Sequence, residues 1–118
     1  MVLRRLIAVL ALVLAGAGGL RAEERFFSAV EDLPLMPGLA EKPGSAVVFD
    51  KPEGRIVEMT AEGGVDRAAA RAFYDRVLPQ LGWRKGADGT FRRESERLRL
   101  RFSRIGPSLV LRVTITPE

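Results

Sequence analysis

The chain has 118 residues, 47% of them hydrophobic and 29% charged, a composition that describes one globular domain and excludes a disordered or fibrous chain. It contains no cysteine and no histidine. Disulfides, a lipidated cysteine, thiol or imidazole catalysis, and any zinc, copper or haem site ligated by those groups are therefore excluded. Lys and Arg number 19 against 15 Asp and Glu, but Arg4, Arg5 and Arg21 fall in the first segment, so the remainder is close to neutral.

In chain order, Arg4 and Arg5 precede an unbroken apolar run from Leu6 to Leu14 that gives way to small residues, the charged, apolar and cleavable order of a secretory signal peptide. Residues 1–22 are assigned to it, with cleavage expected after Ala22 and, as the alternative, after Ala17. The apolar stretch Leu6–Leu20 is 15 residues, short of the ~20 that span a bilayer. An uncleaved anchor is thus the second reading and a periplasmic or secreted domain the first. After cleavage, membrane contact would be at most peripheral.

Residues 23–45 carry Pro34, Pro37 and Pro43 and hold neither a helical nor a strand period, which predicts an extended Pro/Gly-rich arm. Its apolar residues, chiefly Phe26, Phe27, Leu33, Leu35 and Met36, are too many to leave wet at roughly 1.5–3 kcal/mol each. They are expected to cover the domain's own core or to engage a partner.

Residues 46–118 read as an α+β domain. Ala46–Asp50 and Arg55–Ala61 flank Lys51-Pro52-Glu53-Gly54 as a hairpin, with Val57, Met59 and Ala61 on its core side. Val65–Leu81 is expected to be helical, with Asp66 at its positive end, Pro79 loosening the last turn and Gly82 ending it. Ala69, Phe73, Val77 and Leu81 recur every four residues with Ala70, Tyr74 and Leu78 beside them, and this stripe is the expected buried face. Trp83–Lys85 and Thr90–Arg93 flank Gly86-Ala87-Asp88-Gly89 as a second hairpin. Glu96–Ser103 and Leu109–Thr116 flank Ile105-Gly106-Pro107-Ser108 as a third. The predicted fold class is α+β: a single antiparallel sheet with one helix packed across it, in the order β-β-α-β-β-β.

The last hairpin alternates cleanly, and pairing Phe102 with Leu111, Leu100 with Val113 and Leu98 with Ile115 puts these six on one face. The other face then carries Arg97, Arg99, Arg101 and Arg112, with Arg112 opposite Arg101. Like charges so placed cost stability unless Glu58, Glu94 or Glu96 reaches them. The stripe would otherwise suit phosphate or carboxylate groups of an anionic envelope component or an acidic protein. Set against this, Arg outnumbers Lys 16 to 3 across the chain, as a coding bias would also produce. No aromatic residues interleave these arginines to stack on bases, so nucleic acid is not expected as a partner.

No constellation specifies a reaction. Asp50, Glu53 and Glu58 lie near one hairpin, and Asp50 with Glu58 is the only carboxylate pair that could serve a glycan hydrolase. Gly63-Gly64 before the helix lacks the lysine and spacing of a phosphate-binding loop. Trp83, Phe73 and Tyr74 occupy the positions of core anchors rather than of a ligand cage. No catalytic residue, cofactor or metal ligand is assigned.

The run Phe73-Tyr74-Asp75-Arg76-Val77-Leu78-Pro79-Gln80-Leu81-Gly82-Trp83 resembles the helix ending FY-x3-LP-x-LGW of many small exported bacterial proteins of unassigned function. Asp32–Leu39 and the pair Val48-Phe49-Asp50 and Gly54-Arg55-Ile56 are similar to segments of short secreted proteobacterial proteins. The resemblance implies a periplasmic setting and an α+β fold, and brings no activity, cofactor or site residue. The expected function is that of a non-enzymatic exported binding or accessory domain contacting another envelope component. The alternatives are a small carboxylate-dependent hydrolase of envelope glycans and a direct binder of anionic membrane surfaces.

Overall fold

The computed structural model describes residues 25–118; the expected signal peptide and both of its cleavage sites lie outside the described residues. Among the described residues, nine strands and one helix follow in the order β1 Phe26–Phe27, β2 Val30–Pro34, β3 Ala40–Glu41, β4 Val47–Lys51, β5 Gly54–Gly63, α1 Arg67–Gln80, β6 Arg84–Lys85, β7 Phe91–Arg93, β8 Glu96–Ile105 and β9 Ser108–Pro117. The expected single sheet in the order β-β-α-β-β-β is thereby corrected. The protein is mostly β, with a seven-stranded sheet and a separate two-stranded one made by β1 and β2.

Three of the strands, β1, β2 and β3, come from the segment read as an extended arm. Its hairpin β1–β2 carries a register shift between Phe26 and Phe27. Along β2 the buried positions are Val30 and Leu33, three residues apart, so the period of two that announces a strand is missing. Pro34 closes β2 while Pro37 and Pro43 fall between strands, where a missing N–H removes no ladder bond.

The main sheet is ordered β3-β5-β9-β8-β7-β6, and β4 also pairs with β5. Both β3 and β4 lie antiparallel on the same side of β5: β4 along Gly54–Glu58 and β3 along Ala61–Glu62. Between them Lys42–Ala46 leaves the ladder. Ser45 stands in for the missing strand there, its hydroxyl accepting from the Thr60 N–H and donating to the Thr60 carbonyl, each at 3.2 Å. The Lys42 N–H donates to the same carbonyl at 2.8 Å.

One face of the sheet is closed. Cross-strand rows such as Met59–Val113–Leu100 and Ala61–Leu111–Phe102 are buried, under α1 and the arm together. The helix starts at Asp66, whose carboxylate accepts from the Ala69 N–H at 3.1 Å as an N-cap. Its buried row is Ala70, Tyr74 and Leu78, with Phe73 and Leu81 partly buried beside it and Ala69 exposed, so the apolar face is centred one residue from the expected stripe.

Tyr74 ties the helix to the arm. Its hydroxyl donates to the Pro34 carbonyl at 2.9 Å and accepts from the Met36 N–H at 3.1 Å. Burial pushes this phenol up to about 12, since the phenolate would lose its solvation. Arg93 makes a second tie: it reaches Asp32 of β2 and the Leu81 carbonyl, both at 2.9 Å, and stacks on Trp83 with its guanidinium 4.4 Å from the ring centre. A close approach makes a third. A Cβ on Gly63 would sit 1.9 Å from the Gly38 carbonyl oxygen, so only glycine lets the end of β5 pass under the turn that precedes β3.

Candidate functional site

Covering one face of a sheet leaves the other to be accounted for, and among the described residues no element packs on it. Register partners share a face, so the outer face can be read row by row. The ladder places Val47, Glu58, Thr114 and Arg99 in one row and Thr60, Arg112 and Arg101 in the next. A third row runs Thr116, Arg97, Arg92 and Arg84. The pairings Phe102–Leu111, Leu100–Val113 and Leu98–Ile115 expected from alternation are those found, and Arg101 does stand opposite Arg112. The tight Gly106-Pro107 connection fixes this register, with Gly106 at a φ of 58°.

The four arginines line one groove of about 340 Å³, together with Thr114, Thr116 and Glu58. Seven arginines fall between Phe91 and the end of the chain, and their partners divide them sharply. Arg92 bonds Asp88 and Glu118; Arg93 bonds Asp32 and the Leu81 carbonyl; Arg104 bonds the Pro107 and Val65 carbonyls. Arg97, Arg99, Arg101 and Arg112 form no ion pair and no side-chain hydrogen bond among the described residues. The Arg97 Nε is in addition buried without a hydrogen-bond partner, a condition that costs about 1–3 kcal/mol for a polar group and more for a charged one.

The carboxylates that sequence reasoning offered as compensation are elsewhere. Glu96 lies on the inner side of β8 and pairs with Arg55 at 3.0 Å, which together with the neighbouring acids raises the Arg55 guanidinium above its ordinary value. Glu94 sits exposed in the β7–β8 turn at a φ of 55°. Glu58 borders the groove without forming an ion pair. A coding bias would account for arginine in place of lysine, but not for the gathering of these four in one hollow.

A second concavity of about 500 Å³ adjoins the first, the two meeting at Glu58 and Arg112. Its walls are the Lys42–Ser45 excursion on one side and Ser103, Ile105 and Val110 on the other. Sequence reasoning missed it, because it depends on β3 and β4 breaking apart along β5. Also missed is the exposure of β4: Val48 and Phe49 are 51% and 57% exposed, and Val47 and Phe49 share the outer face with the arginines. The unalternating run Val47-Val48-Phe49 was the available signal.

The remaining candidates separate. Phe27, Leu33 and Leu35 of the arm are buried, Met36 packs against the core, and Phe26 is 44% exposed. Asp50 and Glu58 are not brought together, since Asp50 stands opposite Arg55 in the inner-facing rows and Glu58 lies outward. Trp83 and Tyr74 are fully buried. No group of three or more carboxylates that could hold a metal ion occurs among the described residues, and none of the described helices is long and apolar enough to cross a membrane. Comparison of the chain with protein-family models, with curated proteins and with solved structures gives no match.

Proposed function

We propose that this protein is a non-enzymatic, exported binding domain whose outer sheet face holds an anionic group of another envelope component. One observation carries the reading: four arginines without partners among the described residues gather at one groove, while the three others in the same stretch of chain are each satisfied. Guanidinium groups present fixed forks of N–H donors that match phosphate or carboxylate oxygens. With Glu58 the one acid at the groove, an incoming anion meets attraction on nearly every side. The Thr114 and Thr116 hydroxyls add neutral donors. Export rests on the signal-like residues 1–22, and a mature amino terminus at Glu23, read by mass spectrometry of the protein recovered from cells, is the expected result.

The test of the site compares two double variants of equal net charge on an immobilised phosphate matrix. R97A/R99A is expected to lose retention at least tenfold relative to the parent, while R25A/R76A, which removes two exposed arginines off the groove, retains it. Parent binding should weaken as salt rises towards 0.5 M, because exposed charge pairs are screened. Equal losses in the two variants would reduce the effect to net charge and overturn the assignment of the site.

A further inference from the structure

We infer that the ligand of this groove carries two phosphate groups about 10 Å apart. The inference rests on the proposed function and adds the ligand's chemistry and its spacing.

The four arginines are not evenly spread. Arg101 and Arg112 are opposite each other across the β8–β9 ladder, so their side chains rise from adjacent strands on the same face and line the same groove. Arg97 and Arg99 are successive outward residues of β8, with Thr116 and Thr114 as their register partners on β9. They make a second place, built of two guanidinium groups and two hydroxyls. The midpoint of Arg97 and Arg99 lies three residues along the strand from Arg101, which at ~3.3 Å per residue puts the centres of the two subsites about 10 Å apart. All these side chains line the same groove, so one molecule can reach both places.

Phosphate suits each subsite better than carboxylate. A carboxylate has two oxygens and one charge, which a single guanidinium fork satisfies. A phosphate monoester has three free oxygens and up to two charges, and so can engage two guanidinium groups approaching from different strands. The repulsion between Arg101 and Arg112, unrelieved by any carboxylate, is cancelled by a dianion between them. Both a soluble bisphosphate and a phosphorylated lipid headgroup satisfy these conditions, and they differ in whether a bilayer presents them.

The experiment is titration calorimetry of the whole protein with inorganic phosphate and with alkane-α,ω-bisphosphonates of graded length. Expected is an affinity maximum where the phosphorus atoms are about 10 Å apart, tighter than inorganic phosphate by on the order of 100-fold, since the second contact becomes intramolecular. R101Q/R112Q should bring the best bisphosphonate down to the affinity of inorganic phosphate, and so should R97Q/R99Q. Both variants sit on an exposed face, and an unchanged melting transition shows that they fold. Displacement of the bisphosphonate by anionic phospholipid vesicles would identify the ligand as a lipid headgroup, and its persistence would identify a soluble one; the two-phosphate reading holds in both. Phosphate binding with no dependence on chain length would overturn this inference and leave the proposed function standing. A poly-glutamate peptide binding more tightly than any bisphosphonate would overturn it in favour of an acidic protein. No binding of any anion would overturn both.

Discussion

Two faces of one ladder, made by the same two strands in the same register, have opposite characters. On the inner face of β8 and β9, Leu98, Leu111, Val113 and Ile115 are fully buried beneath the helix and the arm. One residue along, on the outer face, Arg97, Arg99, Arg101 and Arg112 surround an open groove and have no acidic partner among the described residues. The difference teaches how the protein divides its labour. A strand's period of two lets one face be given wholly to stability, and the other is then free to carry charges that work against stability.

The contrast is broken most severely by moving an outer residue type inward. Val113→Arg places a guanidinium among Met59, Leu100 and their neighbours, where the desolvation of an unpaired charge amounts to several kcal/mol, comparable with the ~5–15 kcal/mol that holds a small domain together. No cooperative thermal transition is expected for this variant by differential scanning calorimetry.

A milder change tests how the inner face is closed. Tyr74→Phe leaves the Pro34 carbonyl and the Met36 N–H without their partner, at an expected cost of about 2–4 kcal/mol in urea unfolding. The same variant removes a pH dependence. With the folded phenol raised to about 12 and the unfolded one near 10, the native state binds more protons across that interval. Stability from this group is therefore complete below about pH 10 and falls by roughly 2–3 kcal/mol as pH rises to 12. Unfolding free energies of the parent should show that decline, and those of Tyr74→Phe should lack this component.

The smallest expected effect has the opposite sign. Arg112→Thr relieves the like-charge pair with Arg101 and puts a β-branched residue on a strand, which should raise stability by about 0.2–1 kcal/mol while weakening retention on phosphate. Melting temperatures at low and high salt sharpen the point. Added salt should stabilise the parent more than the variant, because only the parent has that repulsion to screen.

The arginine face was legible because β8 alternates from Arg97 to Ser103 and β9 from Leu109 to Thr116, so one tight turn determines every partner. The arm was not. Two-residue strands such as Phe26–Phe27 and Ala40–Glu41 are too short to show a period, and the shift at Phe26/Phe27 erases the one that β2 could have shown. On the helix, the rows through Phe73 and Tyr74 are both apolar. What selects the second is the pair of hydrogen bonds that Tyr74 makes to residues some 40 positions away in the chain, a contact with no local trace. The hollow beside Lys42–Ser45 was hidden for the same reason, being made by a break between strands and not by any residue type.

That break also governs what the open side of β4 can recruit. Among the described residues, Val47–Lys51 presents a mostly apolar margin that pairs with β5 alone, the kind of margin onto which a stray chain can zip. Any such visitor, however, runs off the end of five residues into the Lys42–Ala46 excursion, with Pro43 offering no N–H to bond. The discontinuity that deepens the outer hollow thus doubles as a stop. It limits the templating margin to one short segment.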